Sequence, residues 1–145
     1  LFRTAAKYYG IKNVETYSGG TEGTALYVEV AESFKRHGFT VVKDFAPSNP
    51  HWQIFHPLLE SEGNTPFLFS KAYNKAPNPS SGYVAVMVCD SANEACPVVL
   101  GAAARFPLTF VDPKRSDGTP ECSAVYDATL KEIASEMGDL VRQLA

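Results

Sequence analysis

Three cysteines, Cys89, Cys96 and Cys122, are all that the 145 residues hold. An odd number, in a chain large enough to bury its own core, argues against a disulfide framework and predicts a reducing, cytoplasmic setting. Zinc-type pairing is missing too, because Cys89 and Cys96 do not have the spacing of zinc pairs and His37, His51 and His56 stand at no ligand spacing from them. No metal and no bound cofactor are therefore expected. Positive charge is in short supply, with 13 Lys and Arg against 16 Asp and Glu for a formal net charge of -3. No basic stripe exists to follow a nucleic-acid backbone. No apolar run approaches the roughly 20 residues that span a bilayer, so a membrane is excluded as a partner on the same terms. Internal repeats and low-complexity segments are absent. With 45% apolar and 20% charged residues, the chain reads as one globular domain over residues 1–145.

The N-terminus lacks a helix start. The segment LFRTAAKYYG carries Phe2, Ala5, Ala6 and Tyr9 on one face and ends on Gly10, yet no Ser, Thr, Asp or Asn precedes it as a cap and Leu1 is not an initiator methionine. This pattern predicts the second half of a helix whose beginning lies upstream. Val14–Ser18 (VETYS) then reads as a short strand, broken by the loop at Gly19-Gly20. A helix follows, with Thr24 as its cap, Leu26, Tyr27, Val30, Ala31 and Phe34 at helical spacing, and Gly38 after a basic last turn. Thr40–Phe45 (TVVKDF) completes a strand–helix–strand unit of the kind that builds a parallel sheet.

The middle of the chain is aromatic. HWQIF and FLFSKAY flank a Pro-, Glu- and Gly-containing stretch and predict an antiparallel hairpin inserted at about residues 46–80, its aromatics serving mainly as core. Lys75–Gly82 is loop by composition. Tyr83–Cys89 (YVAVMVC) is nearly continuous in apolar residues and predicts a central parallel strand covered on both faces. Arg105–Val111 is a further strand, with Pro107 near an edge or its beginning. The last helix is the clearest element: Thr119 as cap, Pro120 at its first position, and Tyr126, Leu130, Ile133, Met137, Leu140, Val141 and Leu144 along one stripe.

Two segments hold residues able to do chemistry. In CDSANEACP, Cys89 ends the best strand, where open α/β sheets bind ligands, and Cys96 follows across a polar segment. Two thiols so joined can close a disulfide by exchange and be reopened by an external dithiol; two buried cysteines acting as small hydrophobes is the equal alternative. In FVDPKRSDGT, Asp112 leaves a strand end where a carboxyl group can protonate a leaving oxygen, although Asp-Pro and Asp-Gly also form turns in any protein. Lys114 and Arg115 add positive charge beside it. Cys122 falls in the first turn of the last helix, where the macrodipole favours a thiolate but filler is the commoner role.

Taken in order, VETYSGGT, a helix, a strand, VMVCDSANEACP, FVDPKRSDGT and a long final helix resemble the low-molecular-weight protein tyrosine phosphatase and thioredoxin-coupled arsenate reductase superfamily. The sequence is also similar to a bacterial group described as tyrosine phosphatases, which shares the YSGGTE and AYN-type segments and the aromatic insertion. The resemblance implies a three-layer α/β sandwich with a mainly parallel central sheet, phosphotyrosine protein phosphatase I-like. It further implies a cysteine-dependent enzyme acting on arsenate or a phosphomonoester, possible phosphotyrosine substrates among them. Asp112 would be its general acid and Cys89 and Cys96 its redox pair, with thioredoxin or another thiol as reductant. The family's Cys-x5-Arg loop, and the first central strand that leads into it, are not in this sequence. The strand would lie between VETYS and YVAVMVC, and the chain by itself would be inactive. A protein-binding module built on the same fold is the alternative.

Overall fold

The computed structural model describes residues 1–44, 48–59, 67–88 and 99–145. Among these described residues it is a mixed α/β structure with two small sheets, one antiparallel and one parallel. The chain groups into two compact units, the first made of Leu1–Thr16, Ala25–Phe69 and Pro113–Ala145, the second of Tyr17–Thr24 and Ser70–Asp112.

In the first unit α1 (Phe2–Tyr8) and α2 (Val28–Arg36) both pack on α3 (Cys122–Leu144). Each short helix ends as its glycine dictates. Gly10 and Gly38 take φ of +75° and +83°, a region nearly closed to residues with a Cβ. Ile11 N–H then donates to the Ala6 carbonyl and Phe39 N–H to that of Phe34, both six-residue closures of Schellman type. At the second, the Phe34 and Phe39 rings meet edge to face at 5.0 Å, the apolar contact that usually accompanies this motif. On α3 the stripe Tyr126, Leu130, Met137 and Val141 is buried, as its spacing requires.

Both helix starts fall later in the chain than the capping residues suggest. α2 begins at Val28 after Tyr27, and Thr24 instead meets Ser70, its backbone N–H donating to the Ser70 hydroxyl at 2.9 Å and its own hydroxyl lying 3.3 Å from it. α3 begins at Cys122, because the Thr119 hydroxyl donates to the Ser116 carbonyl at 2.8 Å and so holds a turn instead of capping a helix.

The sheet of this unit runs β1 (Thr40–Lys43), β2 (Trp52–Phe55), β3 (Phe67–Leu68), antiparallel throughout, with Val41 opposite Ile54 and Trp52 opposite Leu68. The aromatic hairpin expected from the sequence is β2–β3. Trp52 is its buried anchor at 5% exposure, with the Lys43 ammonium 5.0 Å above the indole. The expected parallel strand–helix–strand unit is corrected here. β1 takes β2 as its antiparallel neighbour, and Val14–Ser18 forms no strand. A strand needs a partner for its backbone, and alternating side chains alone do not supply one.

The second unit holds β4 (Tyr83–Met87) and β5 (Ala102–Pro107), paired in parallel with Val86 opposite Phe106. Among the described residues β4 has this one strand neighbour, and Val84 stands 62% exposed. The expectation of a central strand covered on both faces is therefore not met here, nor is a mainly parallel central sheet. β5 also begins three residues earlier than Arg105, at Ala102, and stops at Pro107. Ahead of the pair, Gly82 N–H bonds the Gly101 carbonyl and the Tyr83 hydroxyl bonds that of Leu100, both at 2.9 Å, so the two strands enter the sheet together.

Candidate active site

The parallel pair ends, at Val88 and Phe110, next in sequence to the two chemistry-bearing motifs. β5 ends at Pro107, whose missing N–H faces away from β4, and the backbone pairing continues past it. Leu108 N–H donates to the Met87 carbonyl and Phe110 N–H to that of Val88, each at 2.9 Å. Cys89 follows Val88 directly, and Asp112 stands two residues beyond Phe110. Asp112 is exposed. Cys89 and Cys96 lie outside the described residues.

Downstream of Asp112, in the first unit, Pro113–Ser116 forms one turn of 3-10 helix packed against α3. The buried Ser116 hydroxyl donates to the Pro113 carbonyl at 2.8 Å, and the Tyr126 hydroxyl donates to Asp117 Oδ1 at 2.8 Å. Lys114 and Arg115 are exposed on this turn. Asp117 is thus a structural acceptor. Cys122, half-buried at the first turn of α3, is not in a disulfide. The rings of Tyr27 and Tyr126 lie 5.7 Å apart in the same unit.

Sequence reasoning passed over a second arrangement, in which Ser18–Thr24 is laced to Ser70–Asn78 within the second unit. Gly20 N–H donates to the Lys71 carbonyl and Tyr73 N–H to that of Gly20, both at 2.9 Å, giving a parallel bridge between Gly20 and Ala72. The Asn78 amide donates to the carbonyls of Ser18, at 3.0 Å, and Tyr73, at 2.9 Å. A Cβ at Gly19 would sit 2.5 Å from the Tyr73 Cα, so only glycine fits. The paired glycines were the available signal. Lys71 is buried beside this loop, and loss of solvent pushes its ammonium below the usual lysine range.

Two of the three histidines, His51 and His56, pack on aromatic rings around the antiparallel sheet, while His37 closes α2 with its Nδ1 2.8 Å from the Ser33 carbonyl. The His51 ring lies 4.1 Å from that of Phe69 and its Nδ1 is 3.4 Å from Asp44 Oδ2, while His56 meets Phe39 edge to face at 5.3 Å. Among the described residues no three His, Cys, Asp or Glu side chains converge as a metal site would require, and no helix is long and apolar enough to cross a membrane. No family model, no curated protein and no solved structure matches the chain.

Proposed function

We propose that this chain belongs to a cysteine-dependent enzyme that acts on arsenate or phosphomonoesters through a thiol adduct, with Asp112 as general acid and Cys89 and Cys96 as a redox pair. The attacking thiolate and its anion-binding loop come from outside these 145 residues. In this reading β4 and β5 are part of a larger, mainly parallel sheet within a three-layer α/β sandwich. One observation carries the proposal: the Phe110–Val88 hydrogen bond, which makes the chains bearing Cys89 and Asp112 leave the sheet at the same carboxyl edge, where α/β sheets bind ligands.

The chemistry balances as follows. The thiolate attacks phosphorus or arsenic, and Asp112 protonates the departing oxygen. Water then hydrolyses a phosphoryl adduct. With arsenate, the Cys89 thiolate instead attacks the adduct sulfur, forming a disulfide while arsenic leaves as arsenite with two more electrons. Cys96 next attacks Cys89, regenerating the nucleophile, and thioredoxin or another dithiol reduces the Cys89–Cys96 disulfide.

The test is arsenite release with thioredoxin, set against hydrolysis of an aryl phosphate, by the native protein that carries this chain. Cys89→Ser and Cys96→Ser should each abolish the first and spare the second. Full arsenate turnover in both variants would overturn the redox roles, and no turnover of either substrate by the native protein would overturn the enzyme reading.

A further inference from the structure

We draw no further inference here: the strongest candidate, the exposed apolar face of the β4–β5 pair around Val84 and Phe106, carries nothing because nothing among the described residues shows what covers it.

Discussion

Arg36 grips Asp127 across α2 and α3: Nε donates to Oδ2 at 2.9 Å and to Oδ1 at 3.1 Å, while Nη2 donates to Oδ1 at 2.7 Å. The Ser33 hydroxyl, itself buried, donates to the same Oδ1 at 2.6 Å. Glu29 takes a further Arg36 contact at 2.6 Å. Two helices far apart in sequence are therefore joined by one carboxylate with several donors. Replacing it in Asp127→Ala strands the buried Ser33 hydroxyl and leaves the Arg36 guanidinium with Glu29 as its carboxylate partner. The expected loss is about 1–3 kcal/mol of unfolding free energy, read from urea denaturation at pH 7.

The same pair makes a pH prediction. Hydrogen bonding from Arg36, then from Ser33, holds the Asp127 carboxyl down at about 2, against an ordinary 3.8. A carboxyl depressed on folding stabilises the protein in full above its unfolded value and progressively less below it. The contribution is therefore complete above about pH 4 and fades as pH falls toward 2. Partial exposure of both side chains, 36% and 25%, screens it, so about 1–2 kcal/mol is expected. Denaturation midpoints between pH 5 and pH 2 should fall less steeply in Asp127→Asn than in the native chain; equal slopes would remove Asp127 from the account.

Glycine replacements should separate two causes. At Gly38 a Cβ meets nothing within 4 Å, so Gly38→Ala is charged only with the left-handed conformation, about 1 kcal/mol. At Gly19 the added Cβ runs into the Tyr73 backbone, which has no room to yield. Gly19→Ala should cost about 2 kcal/mol or more and remove hydrogen-exchange protection at Gly20 and Tyr73, whose amides form the bridge.

Asn78→Ala tests that junction from its other side. It leaves two carbonyls, those of Ser18 and Tyr73, without the amide donor, at an expected cost of about 1–2 kcal/mol. Exchange should quicken at Gly20 and Tyr73 while the α3 amides keep their protection.

If Asp112 is the general acid, Asp112→Asn should lower kcat about 10²- to 10⁴-fold, with little change in thermal stability, since the side chain is exposed. The loss should shrink for an aryl phosphate whose leaving group departs without a proton. An equal loss for good and poor leaving groups would refute the acid role.

What could be read from the sequence was what local chemistry decides. Gly10 and Gly38 mark two helix ends because a left-handed residue is needed there, and the stripe from Tyr126 to Val141 marks α3 because burial has to follow its period. The β2–β3 hairpin followed from its aromatics. Strand partners could not be read the same way. VETYS and TVVKDF alternate or run apolar as strands do, yet pairing depends on which backbone lies alongside, and that is set by residues distant in the chain. Thr24 and Thr119 look like caps in isolation, but Ser70 and Ser116 engage them otherwise. For the candidate site, the expected strand up to Val111 stops at Pro107, so Asp112 stands five residues beyond the strand end, and the lacing of Gly20 to Ala72 joins segments some fifty positions apart and left no periodic trace.

Because the pairing outlasts Pro107, the exits of β4 and β5 are tethered by the links from Leu108 to Met87 and, last of all, from Phe110 to Val88. Neither peptide can be displaced by an ångström without dragging the other or snapping that link. A displacement of the Val88 carbonyl therefore reaches Phe110 directly, with no relay between them.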